Sequence, residues 1–463
     1  MKQLAVVVLA AGLGTRMKSS LVKVLHPVAG RPMLLHTLDA VMSLKPDKVV
    51  AVLGHQADAV AKILPEGVTT ALQKEQLGTA HAALTGLSKL KGFDGTLMVV
   101  SGDTPLLGAD TFKRLVARHR SAKADVTILT ARLADPTGYG RIIRGKGGVL
   151  GIVEQKDASA AERAITEINT GTYCFEAGAL RAALKKVGSE NAQKEFYLTD
   201  VAAIVSGKGG KVIGVETDRP DEALGINSRV DLANAEKTVR RRINTRLMES
   251  GVTVLDPDTT YIGAGVMIGR DTVVHPGNHI TGNTVIGTGC VLMPGNIITD
   301  STLKDGVVVK GYSTVSESCV DEGASIGPFA HLRPGSRVGK DARVGNFVEL
   351  KKTLMAEGAK ASHLSYLGDA VIGRDVNIGA GTITCNYDGF DKYQTVIEDG
   401  VFVGSDTQLV APVKVGRGAV IAAGSTITAD VPGDALAISR VPQTNKPGWA
   451  RKQRQAKTKS KKR

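Results

Sequence analysis

Between Ile262 and Ile427 an apolar residue returns at every sixth position, a period that few folds accommodate. One run is Ile262, Ile268, Val274, Ile280, Ile286, Leu292 and Ile298; a second is Val320, Ile326, Leu332, Val338, Val344 and Leu350; a third is Ile397, Val403, Leu409, Val415, Ile421 and Ile427. Glycine often follows the apolar residue, as in Ile262-Gly263, Ile286-Gly287, Ile326-Gly327 and Val403-Gly404. An amphipathic helix repeats about every 3.6 residues and a half-buried strand every second one, so six fits neither. It fits a parallel β-helix, in which each hexapeptide makes one short strand and the turn after it. The apolar side chain points into the coil and the small residue relieves the corner. The runs are interrupted: Ile298 to Val320 and Leu350 to Ile372 each span 22 positions, and Ile378 to Ile397 spans 19. Against an 18-residue coil these are surpluses of four, four and one. Surplus residues are expected to leave a solenoid as loops, often on its binding face. Two interruptions hold the richest polar clusters of this half, Lys351 to Tyr366 and Cys385 to Lys392.

A chain of 463 residues has material for two or three domains. Its 54 glycines and 4% aromatic content suit a solenoid better than a sandwich. The apolar opening Leu4 to Ala11 is too short for a secretory leader and runs straight into Gly12, with no small-residue cleavage site after it. No apolar run has the length of a membrane span. Cys174, Cys290, Cys319 and Cys385 lie far apart with no CxxC pair, which points to reduced thiols and a cytoplasmic protein. The tail Arg451 to Arg463 carries eight Lys or Arg and no acid, so the net charge of +14 falls to about +6 without it. The tail reads as a solvated, disordered end, and no nucleic-acid-binding motif accompanies it.

The N-terminal half alternates as α/β. Leu4 to Ala11 is a buried strand, Met33 to Leu44 a helix, Val49 to Leu53 a strand, Thr79 to Leu90 a helix and Leu97 to Val100 a strand. The Gly-rich turn Gly12-Leu13-Gly14-Thr15-Arg16-Met17 follows the first strand, where backbone N–H groups of an α/β sheet cradle phosphates. Neither a third fingerprint glycine nor a Walker lysine is present. Arg16 offers a charge-assisted fork to a phosphate and Lys23 a point charge. Asp103 stands at the carboxyl end of a central strand, where such sheets bind ligands, and is a candidate Mg²⁺ ligand.

Taken together, Leu9-Ala10-Ala11-Gly12-Leu13-Gly14-Thr15-Arg16-Met17, Lys23-Val24-Leu25-His26, Gln73 with Gln76-Leu77-Gly78-Thr79, Gly102-Asp103, Gly138-Tyr139-Gly140-Arg141, Glu154, Glu167-Ile168-Asn169-Thr170-Gly171 and Asn227 resemble the sugar-1-phosphate nucleotidylyltransferases. With the hexapeptide half attached, nearly the whole chain resembles the bacterial bifunctional N-acetylglucosamine-1-phosphate uridylyltransferase / glucosamine-1-phosphate acetyltransferase family. The resemblance implies a Rossmann-like α/β nucleotidyltransferase domain joined by a helical linker to a left-handed parallel β-helix. It implies Arg16 and Lys23 at the phosphates; Leu9, Ala10, Ala11, Gly12, Gln73, Gly78, Thr79, Ser101 and Gly102 at the nucleotide; and Gly140, Glu154 and Asn169 at the acetylated sugar. Asp103 and Asn227 correspond to the Mg²⁺ ligands. The family usually has Pro before the Lys-Val-Leu segment; here it is Val22, which loosens the loop but keeps the charge of Lys23. The sugar phosphate is already an anionic nucleophile, so the site needs positioning and charge neutralisation and no histidine base. His26, His36, His55 and His81 accordingly read as packing or surface residues.

Domains are expected at 1–227 for uridylyl transfer, 228–250 for the linker, 251–446 for the β-helix and 447–463 for the tail. In the linker, Leu232, Ala235, Val239, Ile243 and Leu247 form one apolar stripe, Arg240, Arg241 and Arg242 a solvated face, Asn227 or Ser228 the cap and Gly251 the stop. The helix is expected to act as a stiff arm.

In the C-terminal half Arg333 and Lys351 are 18 apart and therefore stack on successive coils. Stacked cations repel unless an anion joins them, which points to a phosphate site. His363, placed in a loop at one interruption, is the residue type suited to take a proton near neutral pH. The family resemblance extends through Asn377-Ile378-Gly379-Ala380-Gly381-Thr382-Ile383-Thr384-Cys385-Asn386-Tyr387-Asp388 and Gly404-Ser405. It implies His363 as the proton acceptor and Arg333, Lys351, Tyr366 and Asn377 at glucosamine-1-phosphate. Asn386 and Tyr387 would lie at the sugar and acetyl-CoA, with Ala380, Ser405, Ala423 and Arg440 along acetyl-CoA and Glu349 as a partner of the amine. It further implies UTP and acetyl-CoA as co-substrates and a homotrimer with shared sites. Two other readings make the β-helix purely structural or the whole chain a scaffold. They predict loss of His363, Arg333 or Asn386, or of Arg16, Lys23 or Asp103; all six are present.

Overall fold

A computed structural model describes residues 3–460. The chain divides into two compact units, one ending at Ile243 and the other beginning at Asn244. The first is built on strand Leu4–Ala10, whose sequence LAVVVLA is apolar on both faces. Such a strand is stable only at the centre of a sheet covered on both sides. Lys48–Leu53 and Thr96–Ser101 flank it in parallel, and Val68–Leu72 extends the first side. On the other side Glu167–Glu176 runs antiparallel between Thr96–Ser101 and Val126–Arg132, with Val212–Glu216 beyond. The chain thus moves to one side of Leu4–Ala10 and returns on the other. That reversal opens a crevice at the carboxyl ends of Leu4–Ala10 and Thr96–Ser101, the place where open α/β sheets take their ligands. Helices Met33–Met42 and Thr79–Leu87 stop two and three residues short of their expected ends.

The long helix Arg229–Glu249 begins at a reciprocal cap. The Asp231 amide donates to Ser228 Oγ at 3.2 Å, and the Ser228 amide donates to the Asp231 carboxylate at 2.8 Å. The Asn227 amide joins the same carboxylate at 3.0 Å, so the cap also fixes Asn227. Ala235, Val239, Ile243 and Leu247 form its buried stripe. The helix closes on Gly251 at φ +96°, with Gly251 N–H on the Met248 carbonyl and Val252 N–H on the Leu247 carbonyl. Of the three arginines only Arg241 is exposed, so they do not form a solvated face together. Arg240 is buried, and Arg242 donates to the Leu106 carbonyl at 2.7 Å and to Glu222 at 3.2 Å. Glu222 is itself buried, and a buried carboxylate needs a paired cation.

The second unit is the parallel β-helix of hexapeptide repeats. Its short strands pair in parallel with those one coil on, as Ile262 with Ile280 and Met267 with Val285. Of the nineteen hexad residues in the three runs, all but Ile268 are buried. The interruptions, however, are mostly contractions. Ile298 pairs with Val315 and Leu350 with Leu367, seventeen positions apart. Leu303, Val309 and Val315 fill the first gap, and Met355, Ala361 and Leu367 the second, all buried. Four steps, two of them of five residues and one such step to each seventeen-residue coil, produce the span of 22 with no extra residues. Only the third interruption expels a loop: Ile378 pairs with Val403 and Thr384 with Leu409, 25 positions on. Seven residues beyond an 18-residue coil leave there, around Asn386 to Lys392.

For the same reason His363 is not in a loop. Arg343–Lys351 and Lys360–Gly368 are continuous nine-residue strands paired across a corner. Phe347 at φ +58° and Leu364 at φ +37° turn that corner while pairing continues on either side. Inside other corners a ladder of buried polar side chains closes the turns. Asn278 Nδ2 donates to the His275 carbonyl at 2.7 Å, Asn296 Nδ2 to Met293 at 2.6 Å, and Asn296 Oδ1 accepts from the Ser313 amide at 2.8 Å.

The tail is helical over Trp449–Ser460, not disordered. Lys, Arg, Gln and Ala are good helix formers, and no Gly or Pro follows Gly448. Its last residues, 461–463, lie outside the described residues. Among the described residues no helix is long and apolar enough to cross a membrane, and the four cysteines are free.

Replacing Ser228 by Ala should lower the stability of the first unit by about 1 kcal/mol, the usual worth of an N-cap side chain. Denaturant unfolding followed by loss of uridylyl transfer would measure it.

Candidate active sites

The crevice of the α/β unit is lined by two adjoining cavities. One is bounded by Leu9 to Thr15, Lys23, Gln73, Gln76, Gly78, Thr79, Ser101 and Asp103. The other is bounded by Asp103, Tyr139, Gly140, Glu154, Asn169, Tyr173, Thr199 and Asn227. They share Leu9, Thr79, Ser101 and Asp103. The residues expected at the nucleotide thus line one chamber and those expected at the acetylated sugar the other. Gly102 lies beneath, where an added Cβ would come within 2.9 Å of Leu34. Arg16 follows the glycine turn and is exposed.

Two backbone features bring the phosphate residues together. Gly14 has φ +64°, and a Cβ there would stand 2.6 Å from Lys23 Cβ. Only glycine lets the Lys23 segment pack against the turn. The Lys23 ammonium then lies between two oxygens, ion-paired with Asp103 and donating to Asn227 Oδ1 at 3.2 Å. Arg229 holds the far side of the loop, donating to the Met17 carbonyl at 3.3 Å and to His26 Nδ1 at 3.2 Å. Burial first, and the nearby Arg229 charge second, push the His26 pKa down, so it accepts as a neutral ring.

Gln73 is buried; its Nε2 donates to the Gly78 carbonyl at 3.2 Å and to His81 Nδ1 at 3.1 Å. His81 is therefore no idle surface residue, since it fixes which way the Gln73 amide faces. Asn169 Nδ2 donates to Tyr173 Oη at 2.7 Å, and its Oδ1 accepts from Gly171 N–H at 3.1 Å. Burial raises the pKa of Glu154.

In the β-helix the expected residues form two groups. On one face Arg333 ion-pairs with Glu349 at 2.9 Å and Lys351 with Asp369 at 3.9 Å. The two stacked cations are each held by a carboxylate one coil on. Asn386 Nδ2 donates to Asp369 at 2.5 Å. Tyr366 Oη and Asn386 Nδ2 both crowd Gly368, where a Cβ would lie 2.5 and 2.9 Å from them. Lys392 on the expelled loop adjoins Lys351, and the close approach of the two amino groups, then their like charge, lowers the Lys392 pKa. The second group lies around the corner. His363 Nδ1 meets Asn346 Oδ1 at 2.7 Å. Ala380, Ser405 and Ala423 occupy equivalent places on successive coils, and Arg440 closes the row by donating to the Ala423 carbonyl. Asn377 pairs with Lys360, and Tyr387 is exposed on the loop with its hydroxyl on the Gly389 carbonyl at 2.5 Å. Burial raises the Cys385 thiol pKa, which disfavours the thiolate a nucleophile would need.

The sequence reading missed Asn346, Asp369, Arg229 and the orienting role of His81. The signal for Asn346 is its spacing of seventeen from His363, one contracted coil, visible only once that coil length is known.

A glycine turn and strand-end carboxylate at a switch point, with a hexapeptide β-helix bearing a histidine and stacked cations, fit a sugar-phosphate nucleotidyltransferase fused to an acyltransferase. Residues 6–167 match the model of the MobA-like NTP transferase domain, and 394–429 that of the bacterial transferase hexapeptide (six repeats). A protein of Trichlorobacter lovleyi named bifunctional protein GlmU is 54% identical over 453 residues, 97% of this chain and 98% of that one. Proteins of the same name from Pelobacter propionicus and Halalkalibacterium halodurans are each 52% identical, over 97% and 96% of this chain and 98% of theirs. The chain belongs to the bifunctional N-acetylglucosamine-1-phosphate uridylyltransferase / glucosamine-1-phosphate acetyltransferase family. It transfers acetyl from acetyl-CoA to glucosamine-1-phosphate and uridylyl from UTP to the N-acetylated product, giving UDP-N-acetylglucosamine and pyrophosphate.

The raised pKa of Glu154 sets a pH prediction. A carboxyl that holds its proton more tightly folded than unfolded costs stability as pH rises from about 4.5, the unfolded value, through the folded pKa. Glu154→Gln should therefore melt higher than the parent at about pH 8, with the difference shrinking toward pH 4.5. Thermal melts of the ligand-free protein across that range would check it.

Proposed function

We propose the following division of labour among the residues of the two sites. In uridylyl transfer the phosphate oxygen of N-acetylglucosamine-1-phosphate attacks the α-phosphorus of UTP, and pyrophosphate leaves in line. The Gly12–Gly14 turn, Arg16 and Lys23 hold and neutralise the phosphates. Gln73, Gly78 and Thr79 receive the uracil, with Leu9, Ala10, Ala11 and Ser101 at the nucleoside. Gly140, Glu154 and Asn169 receive the acetylated sugar.

Asp103 and Asn227 would hold Mg²⁺. The fit rests on one observation: a cationic group, the Lys23 ammonium, already lies between their oxygens. Bound there, Mg²⁺ would neutralise phosphate charge and orient the displacement. Lys23, released from Asp103, would then be free for a phosphate.

In acetyl transfer Arg333, Lys351, Tyr366 and Asn377 hold glucosamine-1-phosphate, and Ala380, Asn386, Tyr387, Ser405, Ala423 and Arg440 line the path of acetyl-CoA. The sugar amine must lose its ammonium proton before it can attack the thioester carbon, and His363 Nε2 accepts that proton. The C–N bond forms and the C–S bond breaks. The CoA sulfur leaves and takes up a proton, and Ser405 serves the transient oxyanion. The observation that carries this reading is the convergence of the Arg333–Glu349 and Lys351–Asp369 pairs on Asn386 and Tyr366. Two stacked cations with a polar rim suit a sugar phosphate.

We also propose a cytoplasmic homotrimer. A row of exposed apolar side chains marks the corner beside His363. The Tyr312, Phe329 and Phe347 rings stack at 5.6 and 5.5 Å, and Leu364 continues the row at 61% exposure. Exposed rows of this size usually meet another chain.

Paired assays of free CoA thiol and of pyrophosphate test the assignment. His363→Ala should abolish acetyl transfer and leave uridylyl transfer within about twofold; Arg16→Ala should do the reverse, losing on the order of a hundredfold or more. Loss of both activities in either folded variant would overturn the separation. Light scattering should give three times the 48.4 kDa chain mass, and Phe347→Glu should reduce it.

A further inference from the structure

We infer that Asn346 is a positioning residue for acetyl transfer, fixing the tautomer and direction of the His363 ring. The inference rests on the reading of His363 as the base. Asn346 and His363 are register partners on adjacent coils. Each is followed by the positive-φ residue that turns the corner, Phe347 or Leu364. The two side chains therefore leave the backbone in the same direction, one above the other. His363 Nδ1 and Asn346 Oδ1 are 2.7 Å apart. An amide oxygen can only accept, so Nδ1 carries the proton and donates it. The neutral ring then has its lone pair on Nε2, as proton acceptance requires.

The neighbours on the next coil leave room for that nitrogen to work. Above Phe329, Phe347 and Leu364 the corner row ends at Gly381, whose amide donates to the Leu364 carbonyl at 2.7 Å. Beside it Ala380 follows Asn346 and His363 with only a methyl group. The ring is thus supported from below by a polar acceptor and uncovered from above, where substrate must approach. An aspartate at 346 would accept the same proton but would also stabilise the imidazolium, whereas alanine would leave the ring free to rotate and change tautomer.

The test uses the full-length enzyme with Asn346→Ala, Asn346→Asp and His363→Ala, and circular dichroism with thermal melts as the folding control. Asn346→Ala should lower kcat for acetyl transfer roughly tenfold to a hundredfold, part of the usual worth of a positioned base. KM for glucosamine-1-phosphate should stay within about twofold, and uridylyl transfer should be unchanged. Asn346→Asp should recover most of kcat at high pH and move the acid limb of kcat/KM upward by about one unit or more. In the parent, ¹⁵N-correlated NMR of the imidazole should show the neutral ring protonated on Nδ1. A neutral ring protonated on Nε2 would overturn the inference, and that measurement decides even if a variant fails to fold. So would Asn346→Ala with kcat within twofold of the parent while His363→Ala is inactive. If His363→Ala keeps acetyl transfer, the base assignment itself fails, and the positioning role with it.

Discussion

Each coil of the β-helix must close on itself with one apolar side chain per face and then pair, strand for strand, with the coil beneath. That closure is the constraint on which the second unit depends. Backbone pairing tolerates a change of perimeter only if the three inward positions survive. The chain obeys by taking five residues instead of six at some corners, so that Ile298, Leu303, Val309 and Val315 remain buried while the coil shortens to seventeen. Where seven residues too many are present, around Asn386 to Lys392, they leave as a loop and Thr384 still pairs with Leu409. The buried Asn278–Asn296–Ser313 ladder satisfies backbone groups that these tight corners would otherwise strand.

The residues proposed for acetyl transfer follow from that stacking. A coil places equivalent positions one above another, so a site is built as short columns: Arg333 below Lys351, Asn346 below His363, and Ala380, Ser405 and Ala423 in a row. Small residues in such a column leave room, and charged ones accumulate charge. Glu349 and Asp369, paired with Arg333 and Lys351, offset the repulsion between the two neighbouring cations.

The uridylyl site uses another device. Its groups come from segments far apart in the chain, gathered because strand order reverses beside Leu4–Ala10. Lys23 reaches Asp103 and Asn227 from 80 and 204 positions away. Their geometry depends on a glycine that lets two loops touch, Gly14, and on a helix cap, Ser228 with Asp231, that fixes Asn227. Arg229 ties the turn at Met17 and the segment at His26 to the same helix start. That support bears on Val22, where the family resemblance leads one to expect proline: the loop is stiffened by contacts instead of by a ring.

Periodicity is a local property, and the sequence by itself determined what depends on it. The hexad specified a parallel β-helix, the apolar strand and glycine turn specified an α/β sheet with a phosphate crevice, and the apolar stripe with Ser228 and Gly251 specified one long helix. The residue types of both sites were legible because charge, acceptor capacity and titration range belong to the side chain wherever it lies. Only the tertiary structure decided the rest. Whether a gap of 22 is a loop or two contracted corners depends on which backbone groups pair, and pairing places His363 on a strand beside Asn346. Whether Arg242 is solvated depends on Glu222, a carboxylate twenty positions away that needs a partner once buried. Such contacts form between residues that sequence separates. They are fixed by closure of the sheet and of the coil, which no single segment of the chain contains.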